Sequence, residues 1–198
     1  MDRKETITEH RTELVKELRA RTGAGVMDCK NALAEAAGDV EKAAEILRTK
    51  GLATASKKAS RTASEGLVEA YIHTGGRVGA MVEVNCETDF VARTDEFKRL
   101  AKDLAMQVTA SAPQYVSRDD VPPAAVQEQR RLFATELAGK PAAAVDGRLE
   151  KWFQDVVLLE QPFIRDEDKR VRDVMTETIA KVGENLRVRR FARFKIGE

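Results

Sequence analysis

Histidine is almost missing from this sequence. His10 and His73 are the only two, and neither lies beside a cysteine or the other histidine. That leaves no His-based metal site and no local support for a nucleophile–histidine pair. The two cysteines, Cys29 and Cys86, are far apart and form no CxxC or Cys/His cluster. A disulfide framework or zinc site is therefore not expected, and a reducing compartment suits the chain. No Gly-x-x-x-x-Gly-Lys-Ser/Thr phosphate loop occurs, so direct nucleotide binding is not expected. Gly23-Ala24-Gly25 precedes a predicted helix but follows no strand, which makes it a helix–helix turn rather than a dinucleotide fingerprint.

Other absences narrow the class further. No apolar run reaches the roughly 18–20 residues needed to span a bilayer. The first residues, Met1-Asp2-Arg3-Lys4-Glu5, lead into polar sequence rather than the apolar core of a signal peptide. A soluble, cytoplasmic protein is the expectation. A charge excess is also missing: 34 Lys plus Arg against 33 Asp plus Glu leave a formal net charge of +1. A protein that works on nucleic acid usually carries a clear basic excess, so this balance points to a protein partner. Carboxylates are plentiful, but no catalytic pair stands out. The chain reads as a binding protein, not an enzyme, with no catalytic residues, no cofactor and no metal.

What is present describes a globular protein. At 198 residues, with 42% hydrophobic and 34% charged, the chain suffices for one well-buried core and a small satellite domain. Residues 1–52 read as three short helices. The first, near 8–21, carries Leu14, Val15 and Leu18. The second, near 26–37, places Val26, Cys29, Leu33 and Ala36 on one stripe, with Met27 off it. Gly38 stops that helix. Asp39 caps a third, which buries Val40, Ala43, Ala44 and Leu47 and is expected to end at Gly51. Residues 53–65 are small, polar and basic, and they read as a linker with some helical character.

From residue 66 to 198 the expected unit is an α+β domain, an antiparallel sheet packed with helices. Val68, Ala70 and Ile72 alternate with Glu69, Tyr71 and His73, and the Thr74-Gly75-Gly76 turn leads to Val78, Ala80, Val82, Val84 and Cys86. This is a hairpin with one buried side. Helical spacing follows at 95–110, with Thr94 as cap and Phe97, Leu100, Leu104 and Val108 on one face. Further helices are expected after Pro122-Pro123, over 142–157 and over 170–182, the last ended by Gly183. The chain closes on a strand in which Leu186, Val188, Ala192, Phe194 and Ile196 are expected to share a face. Arg187, Arg189, Arg193 and Lys195 then share the opposite face with Phe191. That basic face supports an alternative reading, an RNA-binding surface.

Three segments carry more than periodicity. Leu14-Val15-Lys16-Glu17-Leu18-Arg19-Ala20-Arg21-Thr22-Gly23-Ala24-Gly25-Val26-Met27-Asp28-Cys29-Lys30 resembles the N-terminal signature of the elongation factor Ts family. Glu83-Val84-Asn85-Cys86-Glu87-Thr88-Asp89-Phe90-Val91-Ala92-Arg93 resembles that family's core motif. Leu158-Leu159-Glu160-Gln161-Pro162-Phe163 is similar to a third, shorter family segment, and the three occur in the family's order.

The resemblance implies an exchange factor for the translation GTPase elongation factor Tu. It implies an N-terminal three-helix unit, like a ubiquitin-associated module, that packs on the GTPase domain through Val26 and Met27. It implies that Asp89 and Phe90, flanked by Thr88 and Val91, wedge near the magnesium and phosphate site and loosen GDP. His73 and the Gly75-Gly76 turn match a hairpin tip that touches a different domain of the partner. On periodicity alone Phe90 would fold into the core and Asp89 would cap a turn, and the resemblance reverses that reading. Longer family members duplicate the core subdomain and add a helical hairpin, and this chain is expected to have room for neither. Short members form homodimers, so a homodimer is expected here. An adaptor binding unrelated partners through the three-helix unit is a further alternative.

Overall fold

The computed structural model describes the backbone of residues 3–198 and the side chains of residues 11–198, so the side chain of His10 lies outside the described residues. Three helices open the chain: α1 (Arg3–Thr22), α2 (Val26–Glu35) and α3 (Val40–Lys58). Leu18, Cys29, Ala32, Leu33, Ala36 and Ala43 make their small core. Asp39 caps α3 as expected, its carboxylate accepting from the Lys42 amide at 3.1 Å.

α3 does not end at Gly51. It continues through the expected linker to Lys58, because nothing in Leu52–Lys58 breaks a helix and that stretch has a surface to lie on. That surface is α8 (Val171–Val182). Gly51 is buried against it, and a β-carbon built there would sit 3.8 Å from Ala180 Cβ and 3.9 Å from Thr176 Cγ2. Ala55, one turn on, packs against the main core.

The main core lies between a three-stranded antiparallel sheet, in the order β1 (Glu65–Ile72), β2 (Val78–Cys86), β5 (Arg187–Lys195), and the helices α5 (Asp95–Ser111) and α8. Val82, Val84, Cys86, Phe97, Leu104 and Val108 are fully buried there. Thr94 caps α5, accepting from the Phe97 amide at 3.3 Å. The short helix α4 (Asp89–Ala92) bridges β2 and α5.

The register corrects the expected faces of both outer strands. Tyr71 pairs with Ala80 and Leu67 with Val84, so Leu67, Glu69 and Tyr71 point inward and Val68, Ala70 and Ile72 outward. On β5 the register shifts between Glu83 and Val84: Val84 pairs with Val188, but Glu83 pairs with Arg190. Arg189 is the extra residue of a β-bulge, which resets the alternation. Leu186 and Val188 stay inside, whereas Ala192, Phe194 and Ile196 are exposed on the outer face. The bulge also divides the basic residues. Arg187 and Arg190 go outward, opposite Asn85 and Glu83, while Arg193 and Lys195 share Phe191's side.

The two helices expected after Pro122-Pro123 and over 142–157 form a hairpin. α6 (Pro123–Glu136) and α7 (Ala142–Val156) pack together around Phe133, Leu149, Phe153 and Val156, a third small core. A two-stranded ribbon, β3 (Pro162–Phe163) with β4 (Asp166–Arg170), was not foreseen.

The Leu158–Phe163 segment is what joins the hairpin to the sheet domain. Leu158 and Phe163 enter the main core. The buried Glu160 carboxylate accepts from Arg118 at 3.0 Å, Arg170 at 2.8 Å and Arg172 at 3.0 Å. Gln161 accepts from buried Gln107 at 3.1 Å and donates to the Ser111 and Asp155 carbonyls. Among the described residues no buried side-chain polar atom lacks a partner.

Candidate functional site

The strand β2 ends at Cys86, whose Sγ lies 3.1 Å from the Thr88 carbonyl oxygen. Thr88 has extended backbone, and its hydroxyl accepts from the Val91 amide at 3.4 Å. Thr88 is thus the N-cap of α4, and Asp89, at the first helical position, suits the positive end of the helix. The Asp89 carboxylate also accepts from Arg93 one turn on, at 2.7 Å. Val91 and Ala92 turn inward against the core. Phe90 is left on the opposite side of the turn, 78% exposed.

An exposed phenylalanine at that level is unusual for a fully folded turn, since burying such a ring is worth about 1.5–3 kcal/mol. Nothing frays here. α4 is pinned at one end by the sheet and at the other by α5, through the Thr94 amide donating to the Val91 carbonyl at 3.0 Å. The core-packing reading of Phe90 is thereby overturned, and so is the reading of Asp89 as the turn's cap, a role Thr88 fills.

Val26 and Met27 open α2, and both are exposed, at 43% and 63%. Val26 was expected on the core stripe. It sits in the first turn, next to Gly25, where the helix has not yet reached the cover of its neighbours. The two side chains form an apolar spot at the head of α2.

His73 and the glycine turn sit at the far end of the hairpin. The His73 amide donates to the Val78 carbonyl and the Gly76 amide to the His73 carbonyl, both at 2.9 Å. Gly75 (φ 92°) and Gly76 (φ 67°) occupy left-handed backbone, which a residue with a β-carbon adopts at a cost. The His73 ring stands 3.2 Å from the Tyr71 hydroxyl and is exposed. At about 3.3 Å per residue, the length of β2 puts this tip some 25–30 Å from Asp89 and Phe90. The hairpin tip is therefore an exposed spot well apart from the Thr88–Val91 turn, and the two do not share one cleft, whereas Gly23, just before α2, and Val91 line the same shallow pocket.

Two residues that the sequence did not single out touch the Glu87–Phe90 segment. Glu184 and Asn185, in the loop after α8, bond to Thr88 and Glu87 across nearly a hundred residues of chain. No local pattern marks such a contact. Among the described residues no group of His, Cys, Asp and Glu could hold a metal ion, and no helix is long and apolar enough to cross a membrane.

Comparison with known proteins shows the family. The family model described as Elongation factor TS matches residues 2–198. An elongation factor Ts of Carboxydothermus hydrogenoformans is 60% identical, covering 94% of this chain and 89% of its own length. One from a Thermoanaerobacter species is 58% identical, with 94% of each chain covered. One from an Anaeromyxobacter species is 53% identical over 97% of this chain and 90% of its own. With a family match over residues 2–198 and relatives this similar over most of both chains, the chain belongs to the elongation factor Ts family, and so to the translation elongation factors.

Proposed function

We propose that this protein is a guanine-nucleotide exchange factor that promotes GDP release from elongation factor Tu. The observation that carries the reading is Phe90: a large apolar side chain held out into solvent by a turn anchored at both ends. A rigid bend presents such a group with little ordering cost on binding. Phe90 supplies bulk to displace partner side chains, and Asp89 supplies an anion able to disturb the groups around bound magnesium. Magnesium demands near-ideal octahedral geometry, so a small displacement weakens both metal and phosphate.

The other two spots serve affinity in this reading. The three N-terminal helices form the partner-binding unit through Val26 and Met27, and the His73–Gly76 tip reaches a second surface of the partner. Exchange is then a coupling between two binding events and involves no bond chemistry. A thousandfold weakening of GDP corresponds to roughly 4 kcal/mol, and GDP must weaken binding of the factor by the same amount.

A homodimer completes the proposal. The outer sheet face exposes Val68, Ile72, Met81, Phe194 and Ile196 together, a patch of the kind that marks an interaction surface. A second copy of this chain, meeting face to face, would cover it and carry two sets of spots on one particle.

The RNA-binding alternative loses its stripe. Arg190 pairs with Glu83 at 2.7 Å, Arg193 pairs with Glu198 at 2.6 Å, and the bulge separates the arginines onto two faces.

The test is release of fluorescently labelled GDP from purified elongation factor Tu. Acceleration by the wild-type chain is expected. No acceleration, together with steeply salt-dependent RNA binding, would overturn the reading in favour of the alternative.

A further inference from the structure

Phe90 is held by no packing of its own, so the direction in which it points depends on the backbone of residues 87–91. A single helical turn does not hold itself in water, because the cost of nucleation exceeds what one turn returns. Something outside α4 must fix that backbone, and the loop after α8 is placed to do so.

Glu184 Oε2 accepts from the Glu87 amide at 3.1 Å and from the Thr88 amide at 3.0 Å. Its Oε1 accepts from the Thr88 hydroxyl at 2.6 Å. Donating that proton sets the hydroxyl rotor and leaves its lone pairs for the Val91 amide, so the cap of α4 is itself oriented by Glu184. The arrangement is reciprocal. Glu87 Oε1 accepts from the Asn185 amide at 2.6 Å, so each loop lends its carboxylate to the other's backbone. Charge-assisted bonds of this kind are the strong class.

The same loop holds the end of α3. Buried Asn185 donates through Nδ2 to the Arg61 carbonyl at 2.7 Å, the Lys58 ammonium donates to the Gly183 carbonyl, and Arg61 stands 3.5 Å from Glu87. Gly183, in left-handed backbone at φ 76°, turns the chain sharply enough to bring Glu184 back onto Thr88.

We infer that Glu184 is a positioning residue for the Asp89-Phe90 turn, acting through this double carboxylate clasp, an inference that rests on the exchange reading above. Glu184 itself need not touch the partner. It sets the direction of the group that does.

The test uses the full chain with Glu184→Ala, Glu184→Gln and Thr88→Val. Three quantities are measured: amide hydrogen exchange at Glu87, Thr88 and Val91, stimulated GDP release, and affinity for nucleotide-free partner. Glu184→Ala is expected to deprotect those amides and lower stimulated release about tenfold, since small misplacements of an acting group cost this much or more. Affinity for nucleotide-free partner is expected to change less than about twofold. Glu184→Gln keeps an oxygen for the two amides and turns its NH2 to the Thr88 hydroxyl, so it should recover most of the rate. Thr88→Val should lose part of it.

Wild-type release by Glu184→Ala would overturn the inference while leaving the exchange reading intact. So would a loss of protection throughout the main core, which would make Glu184 a folding residue. A wild-type chain that releases no GDP would instead overturn the exchange reading and the role assigned to Glu184 with it.

Discussion

Phe194 of β5 stands directly opposite Gly79 of β2 on the outer face of the sheet, so its ring has no side chain across the strand to cover it. It is 73% exposed, with Ile72 and Ile196 exposed beside it. If a second copy covers this face, Phe194→Asp should place a desolvated charge at the contact. The expected outcome in sedimentation is a wild-type dimer and a variant at the monomer mass of 22.0 kDa. A wild-type chain that stays at the monomer mass at all micromolar concentrations would remove the dimer.

Phe90→Ala removes an exposed ring, so its effect on the protein's own stability should be within about 0.5 kcal/mol. Its effect on stimulated GDP release should be large, and Asp89→Ala should act in the same direction. Stopped-flow release, checked by thermal melting, separates the two quantities. Wild-type exchange by the double variant would sink the wedge.

Gly51 offers a stability test with a defined sign. An alanine β-carbon there meets Ala180 and Thr176 at ordinary van der Waals distance, inside a helix where glycine costs roughly 0.5–1 kcal/mol against alanine. Gly51→Ala should therefore raise the melting temperature by about 1–4 °C. Gly51→Leu should lower it, because the larger side chain must push α3 from α8.

Glu160 is nearly enclosed, whereas its three arginines are each a third to a half exposed. Removing the carboxylate leaves guanidinium groups that can turn to water, and Arg118 keeps Glu150 at 2.5 Å. Glu160→Ala should thus cost about 1–3 kcal/mol in urea unfolding, less than the loss of a partner from a fully buried pair. Hydrogen exchange should rise first in α6 and α7.

Cys86 carries a pH signature. Burial, and after it the charge of Glu184, pushes its thiol up from 9.0 to about 11. Between those values the native state holds a proton that the unfolded chain has lost. This contribution to stability is present in full below pH 9 and is lost as pH rises toward 11. The urea midpoint should fall over that window more steeply in the wild type than in Cys86→Ala, since lysines titrate alike in both.

The elements were largely legible because their signals are local. Asp39 and Thr94 announce helix starts, Gly183 a helix end, and the alternation from Val78 to Cys86 a strand buried on one side. The misreadings share a cause: each depended on something distant in sequence. The faces of β1 and β5 are set by register against β2, and the extension of α3 by the presence of α8. Val26 looked like a core residue because a helical wheel does not show where a neighbour's cover begins. For the candidate site, Phe90 is proposed by likeness to a family and not by pattern. Glu184 was invisible because its partner lies 96 residues away.

The bulge at Arg189 has a consequence for how the gene can vary. Val188 and Phe191 both point inward with two exposed arginines between them, so the strand carries one residue of slack. Losing Arg189 would leave a strictly alternating strand with every other side chain on its present face. Losing a residue from Phe191 to Phe194 could close the same slack only by turning Arg190, and every residue from it to the gap, to the other face. A one-codon deletion in this strand should thus be nearly silent for folding at one position and ruinous a few codons away, a tolerance that no substitution scan would reveal.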